Sequence, residues 1–354
     1  MKIKTFITVL LLVCVAPRES LSEVYDLPVD GSDVVGALTV IQARADDTLI
    51  DIARRHGLGY EDMVIANPDV DVWLPGEGTE VILPTRYVLP TGPRKGVVLN
   101  LAEYRMYYYP PAKTGERPVV MTFPISIGRM DWETPLGMTR VVSKVRKPAW
   151  YPPASVRAEH EADGRPLARI VPPGPDNPLG DFAMRLGLPG YLIHGTNRPA
   201  GVGMRVTHGC IRMFPEDIEY LFEQLGIETP VRIINEPLKV GWDGDELVLE
   251  VHRTLSSSPP DDIALQNIAN ALTAENAAAI TDVDDNESLA AEDVHTVNGL
   301  TALTAQFVAA TQTRQGAIDW EMAERQLIRP SGIPLAIGRS IKNAATSAAF
   351  ESSD

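Results

Sequence analysis

The residues whose types suit covalent chemistry lie in one stretch, 191–213, which reads YLIHGTNRPAGVGMRVTHGCIRM. It contains two histidines, His194 and His208, together with Cys210, the only cysteine of the sequence outside the first twenty residues. A thiol becomes a good nucleophile as the thiolate, and a neighbouring imidazole promotes that change by accepting the proton. These residue types therefore indicate an acyl-transfer site in which a cysteine is paired with a histidine.

Either histidine can serve the thiol. His208 lies two residues before Cys210 and shares its face if the segment is extended, whereas His194 ends a short apolar strand sixteen residues upstream. Gly209, directly before the thiol, frees backbone N–H groups to point at a developing oxyanion. The residues alone leave two other interpretations open. In the first, the two histidines and Cys210 bind zinc, with His160 as a further ligand. In the second, one histidine only satisfies a buried backbone group.

The overall charge limits the classes of partner. The chain of 354 residues has a formal net charge of −15, which argues against a nucleic-acid-binding protein because such a protein needs a basic face. The central stretch is a local exception, since it carries Arg198, Arg205 and Arg212. The length suits two or three domains, and the hydrophobic content of 44% is ordinary for globular protein.

The N-terminus has the pattern of a secretory signal peptide. Residues 1–4 read MKIK, and residues 5–16 are mostly apolar but too few to span a bilayer stably. Small residues at positions 20 and 22 favour cleavage after Ser22, and no later run approaches the roughly 20 apolar residues of a membrane helix. The exported chain then keeps one cysteine, Cys210, for which three interpretations are open. It forms a disulfide with another chain, it is a reactive thiol, or it is a small hydrophobic residue buried in the core.

Residues 38–84 predict a small unit with the order strand, helix, helix, strand. Residues 38–41 alternate like a strand, and Asp46, Asp47 and Thr48 offer N-cap chemistry to an amphipathic helix. A second short helix is expected at about 60–66, and residues 79–83 form the last strand. The patterns D-D-T-L-x-x-I-A and I-A-N-P resemble a LysM module, a family that binds the N-acetylglucosamine backbone of peptidoglycan and chitin. The alternative is a small structural domain without affinity for sugars.

The segments beside this unit are predicted to be connectors, and a strand-rich region follows. Residues 23–37 have the composition of a linker, and residues 85–95 contain two prolines and predict a stiff connector. Strands are predicted at 97–101 and 105–109 as a hairpin, then at 118–128 and 138–146. The segment 148–190 is rich in proline and glycine, and we expect it to be a long functional loop or lid.

After the central stretch the pattern returns to regular elements and then changes. A helix is predicted to begin at Pro215, because proline suits the first helical position and acidic residues suit the positive end of the helix dipole. Beyond residue 255 the composition shifts to Ala, Asp, Asn and Thr, with no catalytic motif. The other predicted elements are a strand at 231–234, a hairpin at 239–251, helices at 263–272 and 317–328, and a loose acidic segment at 282–287.

The central stretch resembles the L,D-transpeptidase (YkuD-type) catalytic domain. That family's signature is a histidine followed by [ST]-H-G-C-x-[NR], and this chain has I-H-G-T-N and then T-H-G-C-I-R. Thr207 stands where serine is commoner, and Arg212 stands where some members carry asparagine. The similarity covers roughly residues 97–237, including the segments VVLNL at 97–101, YYY at 107–109, GR at 128–129, WETPLG at 132–137 and FPEDI at 214–218.

The resemblance implies a role for each residue of the catalytic site. Cys210 is the nucleophile, and His194 is the base, oriented by the backbone carbonyl of Gly195 rather than by a carboxylate side chain. His208 supports the thiolate and shapes the site. The backbone N–H groups around His208, Gly209 and Cys210 form the oxyanion hole.

The resemblance also implies residues that bind the substrate. Arg212 suits a substrate carboxylate, because its planar guanidinium fork matches that geometry. Thr207 is a further candidate. Arg205 is a weaker candidate, and the alternative is that it is only a solvated charge on the loop. No cofactor and no metal ion is expected.

Together with the signal peptide and the LysM-like unit, the resemblance implies a periplasmic peptidoglycan L,D-transpeptidase of the proteobacterial type. Its partners are glycan strands and tetrapeptide stems. The thiol attacks the diaminopimelate carbonyl, D-Ala leaves, and a thioester passes the acyl group to an amine. That amine belongs to another diaminopimelate, giving a 3→3 crosslink, or to a lysine of an outer-membrane lipoprotein. The alternatives are water as acceptor, which is L,D-carboxypeptidase activity, and a non-catalytic peptidoglycan-binding scaffold.

The expected fold class is α+β and multidomain. A LysM-like βααβ module at 38–84 is followed by a β-rich catalytic domain at 97–237 with one main helix after the motif. An Ala-rich, helical or loose extension that begins with the hairpin occupies 238–354.

Overall fold

A computed structural model describes residues 23–129, 132–255, 289–312 and 314–341, with the backbone alone described for 289–298. The predicted signal peptide, the predicted helix at 263–272 and the acidic segment at 282–287 lie outside the described residues. The strands are Glu23–Asp26 (β1), Val34–Gly36 (β2), Thr39–Gln42 (β3), Glu80–Leu83 (β4), Arg86–Val88 (β5), Gly96–Asn100 (β6), Arg105–Tyr109 (β7), Val119–Pro124 (β8), Ile127–Gly128 (β9), Gly137–Arg146 (β10), Phe182–Leu186 (β11), Leu192–His194 (β12), Arg205–Thr207 (β13), Ile211–Arg212 (β14), Pro230–Ile234 (β15), Leu238–Asp243 (β16), Glu246–Val251 (β17), Gly316–Ile318 (β18) and Leu335–Ser340 (β19). The helices are Leu49–Arg55 (α1), Tyr60–Ala66 (α2), Ala154–Ala162 (α3), Pro215–Gln224 (α4), Leu289–Thr311 (α5) and Trp320–Ile328 (α6).

The predicted order strand, helix, helix, strand in residues 38–84 is confirmed. Strand β3 pairs antiparallel with β4, and the two helices lie between them in sequence. Helix α1 begins where predicted, because the Thr48 hydroxyl accepts a hydrogen bond from the Asp51 amide at 3.0 Å. The apolar side chains of this βααβ unit form their own core, made of Ala43, Leu49, Ile52, Ala53, Leu58, Met63, Val81 and Leu83.

Both connector predictions are wrong in part. Residues 23–37 contain β1, which pairs antiparallel with β8, and β2, which pairs antiparallel with β5 from the other predicted connector. Strand β1 is four residues long, lies at the edge of its sheet and alternates between partly buried and exposed positions. Such a short edge strand buries little apolar surface, so its hydrophobic pattern is too weak to identify it.

Nine strands of the described residues form one sheet that carries the largest core. Their order is β1-β8-β7-β6-β15-β10-β11-β12-β14. Two neighbouring pairs in this order, β6 with β15 and β12 with β14, are parallel. Helix α4 packs on the sheet through Ile218, Leu221 and Phe222, and each such buried side chain contributes about 1.5–3 kcal/mol. The predicted hairpin of 97–101 and 105–109 is confirmed as β6 and β7.

Two predictions in the middle of the chain need correction. The strand predicted at 118–128 is two strands, because the chain leaves the sheet at Ile125, whose amide donates to the Tyr104 carbonyl. The segment 148–190 is not one irregular loop. It contains α3, and it contains β11, which lies in the large sheet between β10 and β12. The prolines and glycines around these elements hide their periodicity in the sequence.

The described part of the C-terminal region forms a packed unit. Strands β16, β17, β19 and β18 make a four-stranded sheet in that order, and the hairpin predicted at 239–251 is confirmed within it. Leu303 of α5 and Ala323 of α6 are buried against this sheet. The helix predicted at 317–328 begins instead at Trp320, after strand β18. None of the helices that the structure describes combines the length and apolar character of a membrane-spanning helix.

Candidate active site

The parallel pair β12–β14 brings the central residues to one face of the sheet. In its register Ile193 lies opposite Ile211, and His194 lies opposite Arg212. Both isoleucines are buried in the sheet's main core. Because side chains alternate along a strand, His194 and Arg212 point to the other face, and so does Cys210 if the extended path continues one residue back. Neighbouring strands are about 4.8 Å apart, so these side chains share one small area.

The thiol of Cys210 is partly exposed, and its surroundings favour the protonated form. Its Sγ donates to the Gly190 carbonyl at 3.6 Å. Burial raises the pKa of the Cys210 thiol above its ordinary value, although the Leu192 amide and the positive charge of Arg212 act in the other direction. The thiolate must therefore form when a base removes the proton.

His194 is a neutral imidazole with one defined tautomer. Its Nδ1 lies 2.6 Å from the Gly195 carbonyl oxygen. A carbonyl only accepts, so Nδ1 carries the hydrogen and Nε2 keeps the lone pair. Burial, and then the nearby charge of Arg212, lowers the pKa of His194 to about 3. The ring is thus uncharged at neutral pH and able to take a proton at Nε2.

Arg212 is a half-buried cation without a carboxylate beside it in the described chain. Its Nε is buried and has no hydrogen-bond partner. Burial, and then the charge of Arg198, lowers the pKa of Arg212 to about 10, whereas Cys210 acts in the other direction. A guanidinium that is still charged at neutral pH but lacks an acidic partner is suited to binding an anion.

The loop before the thiol is a turn held by threonine hydroxyls. Gly209 has φ +94°, and a Cβ there would lie 2.9 Å from the Tyr191 ring. The Thr207 hydroxyl donates to the Cys210 carbonyl at 2.6 Å, and the Thr134 hydroxyl donates to the Gly209 carbonyl at 2.9 Å. Thr207 is buried, and its hydroxyl shapes the turn; its contact with substrate stays a prediction.

The alternative that Arg205 is a solvated loop charge is wrong, whereas its binding of substrate stays a prediction. The side chain is 7% exposed. Its Nε donates to the Gly128 carbonyl at 3.1 Å, and its Nη1 donates to the Leu255 carbonyl. Arg205 is therefore occupied in joining β13 to two other segments.

His208 lies in a cluster that sequence reasoning did not identify. Its Nε2 is 3.0 Å from Glu159 Oε2, and Arg129 Nη2 donates to the other oxygen of Glu159 at 2.5 Å. The Trp132 ring packs edge-on against the imidazole with centroids 5.2 Å apart. Arg129 and Trp132 lay in segments that resembled the family, but Glu159 carried no signal because it is 49 residues from His208 in the sequence.

The zinc alternative finds no cluster in the described part of the chain. The one group there of three ligand-type side chains with atoms within 4.8 Å of one another is Glu103, Glu250 and His252. That group already holds a cation, because Lys239 Nζ lies 2.7 Å from Glu103 and 2.9 Å from Glu250. Cys210 and the two histidines of the stretch do not form such a group.

The βααβ unit contacts the loop that runs between His194 and Cys210. The first amides of α2, from Tyr60 and Glu61, donate to the carbonyls of Val202 and Gly203 at 3.0 and 3.3 Å. The backbones approach so closely that a Cβ on Gly203 would lie 2.3 Å from the Tyr60 nitrogen. The unit is thus in direct contact with the catalytic loop.

Arg54 of α1 adds an ion pair to this junction. Its guanidinium donates to both carboxylate oxygens of Glu216 in the first turn of α4, at 2.8 and 3.0 Å. Glu216 lies six residues after Cys210 in the sequence. The βααβ unit is therefore joined to the elements on both sides of the thiol.

Comparison with family models places this site within a matched region. Residues 94–233 match the model described as the YkuD L,D-transpeptidase catalytic domain. That range contains the described catalytic candidates and most of the nine-stranded sheet.

Three curated relatives match over a longer span. The chain is 40% identical over 262 residues to the probable L,D-transpeptidase YbiS of Escherichia coli, covering 73% of this chain and 84% of the relative. It is 41% identical over 269 residues to the probable L,D-transpeptidase YcfS of the same organism, covering 73% and 82%. It is 42% identical over 241 residues to the probable L,D-transpeptidase ErfK/SrfK of Salmonella typhimurium, covering 67% and 76%.

Proposed function

The chain belongs to the L,D-transpeptidase family, and we propose that it uses Cys210 to transfer the acyl group of a peptidoglycan tetrapeptide stem. The observation that carries this proposal is the parallel register of β12 and β14. It supports the proposal because His194, a neutral imidazole, and Arg212, whose Nε has no partner, share the face of the sheet on which we infer the Cys210 thiol to lie. An acyl transfer from a carboxylate-bearing peptide needs those three groups.

The first half-reaction forms a thioester. His194 Nε2 takes the proton of the Cys210 thiol while Sγ attacks the carbonyl carbon of diaminopimelate. The resulting oxyanion is stabilised by backbone N–H groups at 208–210, where the left-handed conformation of Gly209 turns the backbone towards the site. The tetrahedral intermediate collapses, the bond to D-Ala breaks, and the leaving amine receives the proton from His194.

The second half-reaction regenerates the thiol. His194 removes a proton from an acceptor amine, the amine attacks the thioester carbonyl, and the carbon–sulfur bond breaks as the new amide forms. Sγ then recovers the proton from the imidazole. A diaminopimelate amine gives a 3→3 crosslink, a lipoprotein lysine gives covalent anchoring, and water gives L,D-carboxypeptidase activity.

Arg212 is proposed to bind a carboxylate of the stem. Its buried, unpartnered Nε and its position opposite His194 support this role. Binding an anion there would also relieve the positive charge that acts on the imidazole. That relief would make His194 a better base in the complex than in the free enzyme.

The N-terminal segments supply the setting of the reaction in this proposal. The signal peptide at 1–22 directs export to the periplasm, and the βααβ unit acts as a LysM-like module on the glycan strand. Its contact with the catalytic loop supports the idea that glycan and stem are held by one body. Retention of the mature protein on purified sacculi, and its loss when N-acetylglucosamine oligomers compete, would test the module's part.

Purified tetrapeptide stems test the proposed reaction directly. Incubation with the mature protein should release D-Ala and give a 3→3 dimer, and Cys210→Ala should do neither. If lysine is the preferred acceptor, added lipoprotein carrying a C-terminal lysine should receive the acyl group in place of the second stem. If the only product is the tripeptide stem, water is the acceptor. Undiminished D-Ala release by Cys210→Ala would contradict the cysteine mechanism.

A further inference from the structure

Glu159 joins three elements that are distant in the sequence. It lies on α3 and therefore in the segment between β10 and β11, whereas Arg129 follows β9 and His208 follows β13. One carboxylate oxygen accepts from Arg129 at 2.5 Å, and the other is 3.0 Å from His208 Nε2. The three side chains keep about a third or less of their surface exposed, at 33%, 27% and 27%. Among the described residues whose charges act on the pKa of this imidazole, Glu159 is the acid.

The hydrogen-bond geometry defines the tautomer of His208. An ionised carboxylate only accepts, so the hydrogen between the two groups lies on Nε2. Arg129 Nη2 is 3.2 Å from the same nitrogen, but a guanidinium has donors alone and Nε2 already carries a hydrogen, so the hydrogen bond of Arg129 is the one to Glu159. The Nδ1 atom of His208 is therefore the nitrogen that keeps a lone pair.

The charges around His208 oppose one another. Burial lowers the pKa of the imidazole, and Arg129 and His160 act in the same direction, whereas the hydrogen bond and charge of Glu159 raise it. Burial acts to raise the pKa of Glu159, but the hydrogen bonds of Arg129 and His208 together hold it below its ordinary value. Glu159 is thus ionised at neutral pH and offsets the positive charge of Arg129 beside the ring.

The position of His208 affects the residues that follow it. Gly209 and Cys210 come next in the chain, and the Thr207 hydroxyl closes the turn around them onto the Cys210 carbonyl. Loss of the anchor on His208 that let its backbone shift would therefore displace the backbone amides proposed to bind the oxyanion. Displacements of about 1 Å in such groups cost on the order of 100-fold in rate.

We propose that Glu159 is a positioning residue of the acyl-transfer site. It holds His208 with Nε2 protonated and fixes α3 against the turn at 207–210. The inference rests on the proposed function, because its effect is on the reaction of Cys210. It assigns a part in catalysis to the segment between β10 and β11. In the reaction itself Glu159 acts through His208, since each contact that the structure gives for its carboxylate runs to Arg129 or His208.

Glu159→Gln is the informative substitution because it keeps the size of the side chain. Its amide oxygen would accept from Arg129, and its NH2 group would donate to His208 Nε2, which favours the opposite tautomer. We expect the rate constant for acylation of Cys210 by a carbapenem to fall by about tenfold or more. The matched control is Glu161→Gln on the same helix, where the side chain is exposed, and its rate should equal that of the wild type.

Histidine ¹⁵N NMR gives the readout that a merely structural role would not change. With the His208 signals assigned by their loss in His208→Ala, the wild type should show Nε2–H and Glu159→Gln should show Nδ1–H, at unchanged melting temperature. An unchanged acylation rate, or a lower rate with an unchanged tautomer, would overturn the proposal. A wild-type protein that forms no adduct would instead refute the proposed function, so the two failures are distinguishable.

Discussion

Cys210 and His194 are both uncharged before substrate binds. Burial raises the pKa of the thiol, and burial together with Arg212 lowers the pKa of the imidazole to about 3. The site therefore differs from a thiolate–imidazolium pair, in which a depressed thiol pKa and a charged histidine stabilise each other. In the proposed reaction the proton moves from sulfur to Nε2 as attack occurs, so general-base catalysis would generate the nucleophile.

This state predicts the pH dependence of thiol alkylation. A thiol with a raised pKa is protonated below that value, so the rate of alkylation by iodoacetamide should rise with pH and reach its midpoint above that of an ordinary cysteine. The pKa of His194 is about 3, so His194 does not titrate near neutrality. The alkylation rate should therefore show no additional rise in that range. Mass spectrometry of quenched samples gives the rates. A plateau of reactivity at ~pH 5–7 would show the ion pair instead.

Sequence reasoning could identify the residues with chemistry better than their surroundings. Cys210 and His194 were found because a lone cysteine, glycines and histidines at family spacing stand out. The burial of Arg205 and Thr207 was missed, because a sequence does not show that a side chain is buried against backbone carbonyls. Glu159 was missed because nothing in the chain marks a contact over 49 residues.

The elements that position the site were only partly predictable. Helix α4 and the β6–β7 hairpin follow from caps, turns and periodicity. The parallel pair β12–β14 does not, since its strands have three and two residues, fewer than a periodic pattern needs. The contact between α2 and the loop at Gly203 is equally invisible, because it is made by backbone groups. Both features depend on tertiary packing rather than on local sequence.

Gly203→Ala tests whether the βααβ unit supports the catalytic loop. The φ of Gly203 is +89°, and the added Cβ would lie 2.3 Å from the Tyr60 nitrogen and 2.5 Å from the Gly59 Cα. The loop must separate from α2, so we expect carbapenem acylation of Cys210 to slow by about tenfold or more. Stopped-flow absorbance of the carbapenem measures this rate.

Gly78→Ala is the matched control for that experiment. Gly78 has φ +80° and nothing within 4 Å of the added Cβ, so it carries the same strain of roughly 1–2 kcal/mol without a clash. Its acylation rate should stay within about twofold of the wild type. Equal rates for the two alanine variants would show that the contact with α2 does not position the loop.

The parts of the chain are also held together by buried charges. Lys239 of β16 is fully buried between Glu103, beside β6, and Glu250 of β17, and Glu250 also contacts His252 at 2.6 Å. Burial alone would lower the pKa of Lys239, but the two carboxylates together raise it. The nine-stranded sheet and the C-terminal unit therefore share one ionic cluster.

Lys239→Met should destabilise the whole protein. It leaves two buried carboxylates without their cation, so we expect the free energy of unfolding in urea to fall by about 3–5 kcal/mol. Lys113→Met is the control, because Lys113 is 82% exposed in its pair with Glu116 and surface pairs contribute about 0–1 kcal/mol. Equal unfolding free energies for the two variants would contradict a stabilising role for the cluster.

The central claim is that Cys210 is the acyl-accepting nucleophile, and intact-mass analysis with a carbapenem tests it most directly. The mature protein should gain the mass of one carbapenem, and peptide mapping should locate it on the peptide that contains Cys210. His194→Ala should gain the mass far more slowly, and Cys210→Ala should not gain it. An adduct on another residue, or an equal adduct on Cys210→Ala, would contradict the account.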